Sequence, residues 1–203
     1  MSTKFLSQNL RRNVGVRNKR DKILIVCEGK KTEPNYFAKF PVKKEIVEVD
    51  IDDAAYITDT CVERAIALKE EAERNKTPYN QVWCVFDRDS HPLQGFNRAF
   101  QLADNNKIRI AYSNEAFELW YVLHYDYHVT GSTRDWYKEK LNSLLDEEYR
   151  KNSQDMYDKL KSKQERAIKH AEKLLNRYPQ FSPHQNNPST TVHKLVQELN
   201  KYK

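Results

Sequence analysis

Two short apolar runs constrain this chain more than any other feature. Lys22–Cys27 (KILIVC) and Gln81–Phe86 (QVWCVF) are continuous rather than alternating, the pattern of strands buried on both faces. Between and after them lie two further strand signals. Glu45–Ile51 alternates, with Val47, Val49 and Ile51 on one side, and Lys107–Tyr112 is a fourth apolar stretch. Helical patterns separate the four. One starts near Thr32 with Pro34 in its first turn and Tyr36, Phe37 and Phe40 as its apolar face; the others cover 59–75, 93–105 and Glu115–His124. Ser113 or Asn114 is the expected cap of the last. Alternating strands and helices imply right-handed crossovers. The expected fold is therefore α/β, with a mostly parallel four-stranded sheet.

From residue 131 the strand signal ends. Arg134–Glu148, Gln154–Tyr178 and Ser189–Asn200 read as helices, with Phe181–Pro188 as a loop. Leu160, Ala167 and Leu174 recur every seven residues, as a packing seam does. The expected organisation is a basic flexible arm (1–21), an α/β domain (22–130) and a helical extension packed on it (131–203).

Charge is distributed unevenly along the 203 residues. The chain carries a net +6, yet residues 23–133 hold 13 basic and 18 acidic groups, between two basic ends. A chain that only coats nucleic acid would be basic throughout. A metal-dependent enzyme acting on a polyanion fits better, since carboxylates hold the cation while remote Lys and Arg grip phosphates. A mean hydropathy of −0.92 and the lack of any long apolar stretch exclude a spanning helix. The first twenty residues lack the apolar core of a signal peptide. Three isolated Cys without a CxxC pair argue against a disulfide framework or a zinc knot. These features predict a cytoplasmic protein.

The acidic residues fall where ligands bind in open α/β sheets, at the carboxyl ends of the strands. Glu28 follows the first strand, Asp87 and Asp89 the third, and Glu115 the fourth. Converging carboxylates need a cation, and an all-oxygen donor set suits Mg²⁺ or Mn²⁺. Asp87 and Asp89 share one side of an extended segment, and Glu115 and Glu118 are expected to share a helix face. The structural alternatives are a turn at Asp87–Asp89 and a favourable charge–dipole contact at Glu115. Glu28 gains little structurally from its place after a fully apolar strand.

Other signals are weaker. Gly29–Thr32 (GKKT) lacks the second glycine of a phosphate loop, because Leu24 stands there. Lys30, Lys31 and Thr32 remain candidates for contacts with a substrate phosphate. His124 and His128 are four apart without a zincin motif; His124 is a candidate proton donor near the carboxylates. Cys27 and Cys84 read as small buried hydrophobes.

Four segments in order resemble the RloB-like family: Cys27–Phe37 (CEGKKTEPNYF), Val85–Asp89 (VFDRD), Ser113–Trp120 (SNEAFELW) and Asn187–His193 (NPSTTVH). The resemblance implies a Toprim-like domain related to the nuclease domains of overcoming-lysogeny-defect proteins. Its pattern of a Glu after the first strand and Asp-x-Asp after the third falls on Glu28, Asp87 and Asp89. Glu115 or Glu118 corresponds to the further acidic group that supports a second cation. Thr32 and Glu33 match the family's EGxxTE motif. What the resemblance implies is a Mg²⁺- or Mn²⁺-dependent nuclease acting on RNA or DNA in prokaryotic anti-phage defence by abortive infection, beside an ABC-type or AAA-class ATPase. The tyrosine-bearing domain of topoisomerases is not evident, so water is the expected nucleophile. The alternative is a catalytically silent Toprim-derived module that binds nucleic acid or a partner.

Overall fold

A computed structural model describes residues 20–54, 58–88 and 92–203. The expected arm lies outside these residues except for its last two positions. Five strands form one sheet in the order β2-β1-β3-β4-β5. β1 (Asp21–Cys27) pairs in parallel with β2 (Val47–Asp52) and with β3 (Gln81–Asp87), and β3 pairs in parallel with β4 (Arg109–Asn114). This agrees in outline with a Toprim-like arrangement.

The continuous apolar runs follow from burial on both faces. Ile23, Ile25, Cys27, Trp83, Val85 and Ala111 face one layer, while Leu24, Val26, Val82, Cys84, Phe86 and Tyr112 face the other. The second layer is thin. It consists of α2 (Thr58–Arg74) and α3 (Leu93–Asn105), which present Cys61, Val62, Ala65, Phe96, Ala99 and Ala103. The first layer is thick, formed by α1 (Thr32–Ala38), α4 (Glu118–Val122) and the helices of the C-terminal third. Residues 131–203 therefore share the main hydrophobic core with the sheet.

That third departs from the expected pattern in two ways. Gln154–Tyr178 is not one helix but α6 (Met156–Leu160), a 3₁₀ turn at 161–163, and α7 (Gln164–Leu175), which follows α5 (Arg134–Leu145). The turn lets Tyr157 reach Tyr36 and Phe40, with ring centroids 5.5 and 5.1 Å apart. The seam nevertheless survives the break, with Leu160, Ala167 and Leu174 all fully buried. The second departure is β5 (Ser189–Thr190), a fifth strand antiparallel to β4, which delays the start of α8 to Val192 (Val192–Asn200). Two residues carry no periodicity to read. β5 is fixed by side chains instead: the Tyr112 hydroxyl meets Ser189 Oγ at 2.9 Å, and Thr191 Oγ1 accepts the Tyr112 amide at 3.0 Å.

No helix among the described residues is long and apolar enough to cross a membrane.

Because Leu160 belongs to the same core as the sheet, Leu160→Ala should destabilise the whole protein by about 2–5 kcal/mol. Urea unfolding followed by circular dichroism and by tryptophan fluorescence should shift together. A shift in one signal alone would show that the C-terminal third unfolds independently.

Candidate functional site

The sheet reverses its winding between β1 and β3. From β1 the chain crosses to β2 on one side through α1, then returns to β3 on the other side through α2. Open α/β sheets bind ligands at such a switch point, beyond the carboxyl ends of the strands. Glu28 and Asp87 meet there. The Glu28 amide donates to the Val85 carbonyl at 2.9 Å, extending the ladder by one residue. Its carboxylate accepts the Asp87 amide at Oε2 (3.0 Å) and the Thr58 hydroxyl at Oε1 (3.1 Å). Thr58, the first residue of α2, thus orients Glu28 from the opposite layer.

Asp87 is buried at 6% exposure. Its Oδ2 accepts a hydrogen bond from Arg134 Nη2 at 3.2 Å, whereas Oδ1 is buried with no hydrogen-bond partner among the described residues. Burial pushes the Asp87 carboxyl well above its usual range. Glu33, Glu118 and Glu28 push it further, against the pull of Arg134.

Glu33 follows the same logic. It lies in the first turn of α1, buried at 5% exposure. Desolvation is the main cause that raises its pKa to about 7. Glu118 and Glu28 add to the rise, while its own backbone hydrogen bond and Arg134 oppose it. Gly29 makes this placement sterically feasible, since a Cβ there would stand 2.3 Å from Glu33 Oε2. Glu118, buried at 3%, accepts the Tyr149 hydroxyl at 3.0 Å. A cleft of about 330 Å³ opens beside Thr58, bordered by Pro92, Gly95 and Arg98.

The structure therefore brings together Glu28, Asp87 and Glu118 of the expected set. Asp89 lies outside the described residues. Glu115 is half-buried and precedes α4, which starts only at Glu118. Glu115 and Glu118 thus do not share a helix face, and the field of Glu115 falls on the Tyr137 hydroxyl. The expected cap does not form either: α4 has Phe117 at its N-cap, the Asn114 carboxamide donates to the Pro183 carbonyl, and the Ser113 hydroxyl pairs with Thr190. Lys30 and Lys31 are exposed at the turn after Glu28. Thr32 donates its hydroxyl to the Lys151 carbonyl at 3.3 Å.

His124 sits in the hydrophobic core. It is fully buried against Trp120, with Nδ1 2.8 Å from the Trp120 carbonyl, and burial lowers its pKa to about 4. Buried in this way, it is neutral near pH 7.

Two functional candidates were not singled out from sequence as site residues. Glu33 was legible only as part of a motif, while Arg134 gave no signal at all. Its guanidinium is brought to Asp87 purely by the packing of α5.

The donor chemistry fits a hard divalent cation: several carboxylates, one with a buried oxygen lacking a hydrogen-bond partner among the described residues. The spacing is looser. Among the described residues, no three His, Cys, Asp or Glu are arranged to hold one ion. Mg²⁺ does not require such a cage, since one or two carboxylates, water and substrate phosphates commonly hold it.

The raised pKa of Glu33 has a consequence for stability without added cation. Between about pH 4.5 and 7 the folded protein keeps a proton that the unfolded chain releases, so this group's contribution to stability falls as pH rises. Buried His124 and His193, both lowered to about 4, slope the opposite way between about pH 4 and 6.5. The clean readout is the difference between wild type and Glu33→Gln. In EDTA, the relative stability of the variant should increase from pH 5 to pH 8 in denaturant titrations. A difference independent of pH would contradict this placement of Glu33.

No curated protein and no solved structure matches this chain. The family model described as RloB-like protein matches residues 23–199, a span that includes every carboxylate of the site. The chain belongs to the RloB-like family.

Proposed function

We propose that this chain is a Mg²⁺- or Mn²⁺-dependent nuclease that hydrolyses phosphodiester bonds of RNA or DNA in prokaryotic anti-phage defence. The observation that carries this reading is Asp87. It is a buried carboxylate with one oxygen that has no hydrogen-bond partner among the described residues, set at the switch point beside Glu28 and under the field of Glu33 and Glu118. A fold gains nothing from clustering four carboxylates at a strand end, so the arrangement supports a catalytic use.

Asp87 would hold the cation together with Glu28, Glu33 or Glu118, and Asp89 follows two residues on. When bound, such an ion acidifies an attacking water and stabilises the leaving oxygen. The chain's own groups supply the rest. Thr58 and the Asp87 amide fix the orientation of Glu28. Glu33, whose carboxyl burial raises to about 7 without a cation, stands beside Asp87 as a further carboxylate that would hold the ion or exchange a proton. Lys30 and Lys31 stand exposed at the rim, where they would meet backbone phosphates. A partner ATPase would restrain or trigger the activity.

A second reading, a silent module that binds nucleic acid or a partner, draws support from the Arg134 contact, which neutralises Asp87 without any ion. Cleavage of labelled RNA and DNA with Mn²⁺ or Mg²⁺, with and without the neighbouring ATPase, separates the two. The nuclease reading predicts metal-dependent cutting that falls at least about 100-fold in Asp87→Asn. Cutting that survives this change would overturn the site, and binding without cutting in every condition would favour the module.

A further inference from the structure

Arg134 occupies a position that its own helix does not favour. It is the first residue of α5, whose N-cap Thr133 accepts the Trp136 amide at 3.3 Å. A cation there opposes the positive end of the helix dipole, and the neighbouring Asp135 is the residue that complements it. What favours Arg134 lies outside α5. Its guanidinium reaches across 47 residues of sequence to Asp87 Oδ2 at 3.2 Å, and its charge opposes the raised proton affinity of both Asp87 and Glu33.

The contact is incomplete for a structural pair. A tether between α5 and the sheet would be expected to engage both oxygens of the carboxylate, as Arg–carboxylate pairs often do. Here Asp87 Oδ1 stays buried without a hydrogen-bond partner among the described residues. The Arg134 side chain is also 34% exposed, against 9% for Asp87, so the guanidinium is the solvent-facing partner of the pair.

We infer that Arg134 is the resident counter-charge of this carboxylate cluster, and that a divalent cation binds at Asp87 in competition with it. This rests on the metal-dependent reading proposed above. It also accounts for the loose spacing of the donors: with Arg134 against Asp87, the carboxylates are held by a guanidinium, the Tyr149 hydroxyl and the Asp87 amide rather than drawn around one point. Displacing Arg134 leaves Asp87 Oδ2 open beside the unsatisfied Oδ1. Two positive charges competing for one buried carboxylate interact strongly at low effective dielectric, so removing one of them should change the affinity of the other by about tenfold or more.

The test is direct binding of Mn²⁺ to the full chain, by calorimetry and by the loss of the free-ion paramagnetic resonance signal. Arg134→Gln should bind Mn²⁺ about tenfold more tightly than wild type. Arg134→Lys, which keeps the charge, should remain within a few-fold of wild type, and Asp87→Asn should bind far more weakly. If Arg134→Gln does not fold, Arg134→Met keeps the stem's packing and carries the same expectation. Affinity unchanged or weakened in the neutral variants would overturn the inference and leave the metal reading standing, with Arg134 as a structural tether. Absence of Mn²⁺ binding in wild type and neutral variants alike would overturn both.

Discussion

Everything proposed for this protein depends on one hydrogen bond, the Asp87 amide donating to the Glu28 carboxylate at the point where the sheet reverses its winding. It ties the ends of the two central strands together and fixes the spacing of two acidic groups that would otherwise repel each other. Both strands are buried on both faces, so neither end can relax away without exposing Cys27, Val85 or Phe86. The helices then bring further charges to this fixed pair. α1 contributes Glu33 past Gly29, α4 contributes Glu118, and α5 contributes Arg134.

The electrostatics of that assembly are unusual for a surface cleft. Desolvation is the largest influence on both Asp87 and Glu33; repulsion from neighbouring carboxylates comes next for Asp87, and for Glu33 it follows the opposing effect of its own backbone hydrogen bond. Such a group of carboxylates is stable only with protons, a guanidinium or a cation to balance it. Two of these are present in the structure: a proton on Glu33 near neutral pH and Arg134 against Asp87. The cation is the third, and it belongs to the function proposed above.

The central part of this architecture was legible in the sequence because its signals are local. A strand buried on both faces must be a continuous apolar run, and a charge directly after such a run has few structural reasons to be there; Lys22–Glu28 and Gln81–Asp87 carry both signals. The peripheral parts were not legible for equally physical reasons. β5 is two residues held by hydroxyl contacts to Tyr112 and Ser113. The residues before α4 are held by long-range contacts, Asn114 to the Pro183 carbonyl 69 residues away and Ser113 to Thr190, which no local pattern reports. His124 reads as a proton donor because it follows the acidic segment, yet the turn after α4 packs it against Trp120 in the core. Arg134 reaches the site only through the tertiary packing of α5 on α4, which no short-range pattern encodes.

The central claim is that the carboxylates at the ends of β1 and β3 form a divalent-cation site. Anomalous diffraction from crystals grown with Mn²⁺ tests it most directly, because it locates the ion without relying on turnover. The account predicts a manganese peak within coordination distance of Asp87, shared with at least one other carboxylate of the cluster, and Arg134 turned away from Asp87. A peak elsewhere, or an Asp87–Arg134 pair intact at saturating Mn²⁺ with no peak beside it, would contradict the account.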